Sequence, residues 1–242
     1  MMPKKPSKPP IIAGQRDLTV RVKTARGRKT SSTRWLQRQL NDPYVQQAKR
    51  DGYRSRAAYK LIELDDKFSL MKQGMHVVDL GAAPGGWSQV AAKAVQSSAK
   101  RPSVVAVDIL DMPSIAGVNF LQCDMNDDDA PARIHALMDD RVDLVLSDLA
   151  PNTTGHASTD HMRIILLCEL AYELALEVLS VGGAFVCKVR QGGTEASMLT
   201  DMKKRFTKVA HFKPQSSRKE SPETYVIAIG LKEGMQKIYN AS

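Results

Sequence analysis

The sequence predicts an α/β domain built on a doubly wound, mostly parallel sheet of seven strands with an antiparallel hairpin at one edge. Three observations carry that expectation. Short apolar runs that stop at Gly or Asp alternate with longer stretches of helical periodicity, the pattern of a parallel sheet covered on both faces. A loop of small residues, Gly81 to Gly86, follows the first run and opens a helix. The last two strand-like segments have no helix between them, and so short a connection cannot make a parallel crossover.

Residues 1–30 are rich in Lys, Arg, Pro and Gly, lack apolar periodicity and read as disordered. The expected division is a basic arm over residues 1–32 and a folded domain over residues 33–242. From Thr33 to Phe68 the pattern is helical. Asp42 and Pro43 suit an N-cap and first helical position, and Ala57, Ala58, Leu61, Ile62 and Leu64 form an apolar stripe. Met75–Leu80 is the first predicted strand and Trp87–Val95 the helix after the loop. Val104–Ile109 and Val118–Gln122 are the next strands, followed by a helix over Ala132–Met138. Asp143–Leu149 is the fourth strand and Ser158–Leu179 a long helix. Gly182 and Gly183 end that helix and open a strand over Ala184–Val189. A helix over Ala196–Phe206 and two strands, Lys208–Phe212 and Thr224–Leu231, complete the order.

Charge is distributed unevenly. Residues 1–50 hold 13 of the 35 Lys and Arg against only Asp17 and Asp42, whereas the remainder carries 22 basic and 24 acidic residues. A basic arm beside a near-neutral domain points to a polyanionic partner, because phosphate binding draws on just such a local excess. Aromatics are 5% of the chain, which argues against an aromatic platform for single-stranded RNA. Cys123, Cys168 and Cys187 show no C-x-x-C spacing, which argues against a disulfide framework or zinc site; they read as buried thiols in a reducing compartment. No apolar run has transmembrane length, and the basic N-terminus lacks the apolar stretch of a secretory signal. His135, His156, His161 and His211 lack ligand spacing, and no metal is expected.

A doubly wound sheet binds ligands beyond the carboxyl ends of its strands, which directs attention to the residues after Leu80, Val107, Leu146 and Val186. Asp79-Leu80-Gly81-Ala82-Ala83-Pro84-Gly85-Gly86-Trp87 lies at the first of these. It is not G-x-G-x-x-G. A carboxylate at the strand end suits a cationic amino-acid ligand better than a pyrophosphate. Asp108, ending the second strand, is placed to accept hydrogen bonds from a ribose diol. Asp124 could meet an adenine amino group or simply cap the acidic turn Asn126–Asp129. Ser147-Asp148-Leu149-Ala150-Pro151-Asn152 ends the fourth strand. Lys188 sits in the fifth among core residues, a costly place for an ammonium unless it is paired or functional. Adjacent strands should bring Asp148 and Lys188 together.

With these stretches in view, the chain resembles the FtsJ-like ribosomal RNA 2′-O-methyltransferases from about Trp35 to Leu231. The matching stretches are YRSRAAYKL (53–61), DLGAAPGGWSQ (79–89), VVAVDIL (104–110), LQCDM (121–125), SDLAPN (147–152), CKV (187–189) and SSRKESPETYVIA (216–228). The resemblance implies a Rossmann-like class I methyltransferase fold and S-adenosylmethionine as cofactor. It implies a catalytic tetrad of Lys60, Asp148, Lys188 and Glu223, and cofactor contacts at Gly85, Trp87, Asp108 and Asp124, with Asp148 near the reactive methyl. The implied substrate is a uridine ribose of large-subunit rRNA, on the assembled or nearly assembled subunit.

The residue types suit that chemistry independently. A 2′-hydroxyl must lose its proton as the methyl arrives. Burial and a second cation, Lys60, favour Lys188 as the free amine that takes it, whereas Asp148 favours the ammonium. The chain departs from the family in reading Val-Arg-Gln-Gly after Lys188, where Val-Phe-Gln-Gly is usual, so Arg190 stands in place of an aromatic. Arg54, Arg56, Lys60, Arg218 and Lys219 are expected to form a phosphate-tracking surface. A monomer in the cytoplasm is expected. Two other readings compete: a non-catalytic ribosome-assembly factor on the same fold, and a 2′-O-methyltransferase of tRNA or an mRNA cap.

Overall fold

The computed structural model describes residues 30–138, 142–151, 155–190 and 196–237. Of residues 1–30, expected to be disordered, all but Thr30 lie outside them. The chain divides into two compact units, residues 1–46 and 47–242.

In the first unit, α1 (Thr30–Leu40) begins inside the stretch assigned to the arm. Asn41 Nδ2 donates to Gln37 O at 2.7 Å at its end. Asp42 Oδ1 accepts the Tyr44 amide at 3.1 Å and caps α2 (Pro43–Asp51), whose first residue is the expected proline.

The second unit holds α3 (Ala58–Phe68), β1 (Val77–Leu80), α4 (Gly86–Val95), β2 (Val104–Asp108), β3 (Val118–Gln122) and α5 (Ala130–His135). It continues with β4 (Val142–Ser147), α6 (Ala157–Val178), β5 (Leu179–Arg190), α7 (Ala196–Arg205), β6 (Phe206–Phe212) and β7 (Glu223–Leu231). The sheet order is β3-β2-β1-β4-β5-β7-β6. Strands β1 to β5 pair in parallel, and β7 runs antiparallel between β5 and β6. The switch in strand order falls between β1 and β4, where the crevice of such a sheet lies.

Alternation along the strands assigns the two faces. Val77, Leu144, Leu146, Val186 and Tyr225 pack with Leu61 and Leu64 of α3 and with Trp87 and Val90 of α4. Val78, Leu80, Val145, Phe185 and Cys187 pack with Ile134 of α5, Tyr172 of α6 and Met202 of α7. β1 and β4 are buried along their whole length, as continuous apolar runs require. All three cysteines are free and buried.

Among the boundaries that differ from expectation, two have a clear physical reason. β5 starts at Leu179, directly after α6, because Leu179 already pairs with Val142. Gly182 (φ 84°) and Gly183 therefore bend the strand from within, at a register shift between Val142 and Leu144, instead of opening it. Helix α5 starts at Ala130, since Pro131 is tolerated in a first turn. No described helix is long and apolar enough to cross a membrane.

Candidate active site

The period of two along a strand gathers the reactive groups on one face. Lys188 in β5 is the direct register partner of Tyr225 in β7, and Glu223 lies two residues before Tyr225 on the same side. Asp148 follows β4, with its amide donating to Leu80 O at 3.0 Å. Helix α3, packed over this face, delivers Lys60.

The four side chains meet through a fifth. Lys188 Nζ lies 3.2 Å from Asp148 Oδ1 and donates to Asp148 O at 2.6 Å. Lys60 Nζ lies 2.5 Å from Glu223 Oε1. The Tyr225 hydroxyl is 2.9 Å from Asp148 Oδ1 and 3.2 Å from Glu223 Oε1, joining the two pairs. Lys60 Nζ stands 5.9 Å from the centre of the Tyr225 ring. Ser217 Oγ donates to Glu223 Oε1 at 3.2 Å. All four charged groups keep some exposure, between 12% and 21%, so a substrate can reach them.

Electrostatics divides the carboxyls. Burial alone would raise Asp148, but the Lys188 and Lys60 ammoniums and the Tyr225 hydroxyl outweigh it and hold Asp148 below its ordinary value. Burial, and then the charges of Asp148 and Glu223, push the Tyr225 hydroxyl well above its own. It therefore stays a proton donor to both carboxylates.

Beside this cluster lies the loop after β1. Gly85 holds φ 106°, and a Cβ there would come within 2.7 Å of Ile115 Cδ1. Gly81 (φ 77°) lets the loop approach the Leu149 backbone, which a Cβ would meet at 2.9 Å. The first-turn amides of α4, Gly86 and Trp87 among them, have no acceptor within the helix. Asp108 Oδ2 accepts the Ala83 amide at 2.8 Å and Oδ1 the Leu110 amide at 2.8 Å, which ties the end of β2 to the loop. Asp79 is fully buried. Its Oδ2 accepts from Ser88 Oγ at 2.6 Å, while Oδ1 has no hydrogen-bond partner among the described residues. Burial, opposed by Ser88 and reinforced by Asp148 and Asp108, pushes Asp79 up to about 7.

The sequence model of the FtsJ-like methyltransferases matches residues 53–231. The chain belongs to this family. "Ribosomal RNA large subunit methyltransferase E" of Rhodospirillum rubrum is 59% identical over 220 residues, covering 90% of this chain and 84% of that protein. Its counterpart in Azorhizobium caulinodans is 54% identical over 226 residues, covering 93% and 94%. A solved structure of a ribosomal RNA methyltransferase from Plasmodium falciparum superimposes with a TM-score of 0.63 at 28% identity, covering 76% of this chain and all of that one. This FtsJ-like chain is an S-adenosylmethionine-dependent methyltransferase. The site suits that cofactor: an unpartnered buried carboxylate oxygen can take its ammonium, and the glycines leave room for close approach.

Within the FtsJ-like domain, the structure brings Lys60, Asp148, Lys188 and Glu223 together and places Gly85 and Asp108 at the neighbouring loop. Asp124 closes its own turn, with Oδ1 accepting the Asn126 amide at 2.9 Å and Asn126 Nδ2 at 2.7 Å. The Trp87 side chain is 2% exposed, packs 5.6 Å from the Tyr225 ring and donates Nε1 to Ala57 O at 2.8 Å. Ring and Nε1 are thus both engaged within the protein. Asn152 lies outside the described residues. Arg54 and Arg56 depart from the phosphate-tracking expectation, because their guanidiniums bond backbone carbonyls, those of Pro113 and Ser114 for Arg54 and of Ser216 for Arg56. Tyr225 was not singled out from sequence, although a buried tyrosine two residues from a candidate carboxylate on a strand is the signal that marks it.

Proposed function

We propose that this protein transfers a methyl group to the 2′-hydroxyl of a uridine ribose in large-subunit (23S) rRNA, on the assembled or nearly assembled subunit. The observation that carries the reading is the convergence of Lys60, Asp148, Lys188 and Glu223 around the Tyr225 hydroxyl, beside the cofactor loop. The names borne by the relatives support the choice of RNA.

S-adenosylmethionine, when bound, supplies an electrophilic methyl on a sulfonium. Gly85, Trp87, Asp108 and Asp124 would hold it, with Asp79 available to its ammonium and Asp148 on the side of the methyl. Transfer of that methyl to the ribose oxygen would leave the neutral thioether behind and require the hydroxyl to lose its proton. The hydroxyl proton would pass to Lys188 Nζ once that ammonium has given up a proton to solvent. The resulting ammonium stays against Asp148 O and Oδ1, at the distances already present. Lys60, neutralised by Glu223, holds the second positive charge beside the acceptor. In-line placement supplies much of the acceleration, up to ~7–11 kcal/mol in well-oriented systems. The protein acts as a monomer in the cytoplasm.

The test is to incubate it with methyl-labelled cofactor and, separately, large ribosomal subunits, naked rRNA and tRNA. Label is expected on the subunit RNA. Transfer to tRNA alone overturns the substrate, and failure to bind the cofactor at all favours an assembly factor.

A further inference from the structure

Arg54 stands in the segment that leads into α3 and Lys60, and its residue type suggests a phosphate contact. Its surroundings say otherwise. Nη1 donates to Pro113 O at 2.6 Å and to Pro84 O at 3.3 Å, and Nη2 donates to Ser114 O at 2.8 Å. Pro84 belongs to the glycine loop, whereas Pro113 and Ser114 belong to the connection after Asp108. One planar fork therefore joins the glycine loop to the connection after Asp108.

The rest of the segment is fastened to the same place. The Arg54 amide donates to Gln89 Oε1 at 2.8 Å, and Gln89 Nε2 donates back to Gly52 O at 3.1 Å. Trp87 Nε1 donates to Ala57 O at 2.8 Å. A Cβ on Gly85 would lie 3.1 Å from Arg54 Nη1, so the loop and the guanidinium are in close contact. From Ala57 the chain runs directly into α3, with Lys60 in its first turn.

We propose that Arg54 is a positioning residue for the cofactor and not a phosphate ligand: it locks the Gly85 loop to the Pro113–Ser114 connection. The inference rests on the assignment of the Gly81–Gly86 loop to the cofactor. The directional fork is what matters, since three carbonyls around one planar group cannot be matched by a lysine ammonium on a flexible stem. Phosphate, by contrast, accepts either cation.

Arg54→Lys is therefore the decisive variant, with Arg54→Ala beside it. S-adenosylmethionine binding is measured by calorimetry without RNA, and affinity for large-subunit rRNA is measured across a salt series. Both variants should bind the cofactor about 10-fold more weakly, the cost of one or two lost hydrogen bonds to a charged group. KM for the cofactor should rise with kcat at saturation little changed, and the salt slope should equal that of the wild type. If Arg54→Lys binds the cofactor normally while Arg54→Ala loses about one unit of salt slope, Arg54 is a phosphate ligand and the proposal is wrong. A fall in kcat with KM unchanged also overturns it. Should Arg54→Ala fail to fold, Arg54→Lys alone decides, because normal cofactor affinity in that variant contradicts the fork. If the wild type itself binds no cofactor, it is the methyltransferase reading that fails.

Discussion

A part-buried aspartate and a fully buried one lie at the ends of neighbouring strands of the sheet, and their acidities shift in opposite directions. Asp148, after β4, is held below its ordinary value because two ammoniums and a tyrosine hydroxyl outweigh the cost of burial. Asp79, at the end of β1, has only Ser88 to oppose burial and is pushed up to about 7. Asp148 has its partners within the chain. Asp79 has one oxygen without a hydrogen bond among the described residues. The difference separates a cluster whose charges the fold pairs within itself from a carboxyl, beside the glycine loop, that keeps one oxygen unpaired among the described residues.

The strongest way to break that comparison is to remove the cation that completes Asp148. Lys188→Met should reduce turnover on the order of 10³-fold, the range of general acid–base contributions, while cofactor affinity measured by calorimetry stays close to wild type. Near-normal turnover would show that the cluster is structural only.

A second test sharpens the Asp79 side. Between its ordinary 3.8 and about 7, folded Asp79 keeps a proton that the unfolded chain has released. Its burial is therefore harmless at low pH, and stability is lost as pH rises toward 7. The stability gap in favour of Asp79→Asn should widen between pH 4 and 7, by on the order of a few kcal/mol, and then stay level. Asp148 has the opposite sign, contributing stability above its ordinary value that is lost as pH falls. Chemical denaturation of both proteins at several pH values checks this. A gap independent of pH would mean that Asp79 does not titrate there.

The smallest effect concerns the bridge. Tyr225→Phe removes a hydroxyl shared by Asp148 and Glu223. Turnover should fall about 10-fold, and the acidic limb of the pH–rate profile should move upward as Asp148 loses a stabilising donor. An unmoved limb would place the hydroxyl outside the ionisation of Asp148.

The strands, their order along the chain and the antiparallel edge could be read from sequence because buried runs, glycines and connection lengths are local signals. Lys188 was legible for the same reason, as an ammonium placed between Val186 and Val189, which are 0% and 1% exposed. Arg54 was not, because its acceptors lie 30, 59 and 60 residues further along the chain and are backbone carbonyls that no motif records. Trp87 illustrates a subtler limit. Its place in a quoted stretch is consistent with a ligand contact, yet packing turns its ring toward Tyr225 and commits Nε1 to Ala57 O. Gly182 and Gly183 read as a helix end because the pairing of Leu179 with Val142 is non-local.

The most direct test of the whole account identifies the atom that is methylated. Large subunits lacking the modification are treated with isotope-labelled cofactor and the wild-type protein, and their rRNA is digested to nucleosides for mass spectrometry. The account predicts label on the ribose of 2′-O-methyluridine, present with wild type and missing with Lys188→Met. Label on a base, or equal labelling by the two proteins, would contradict it.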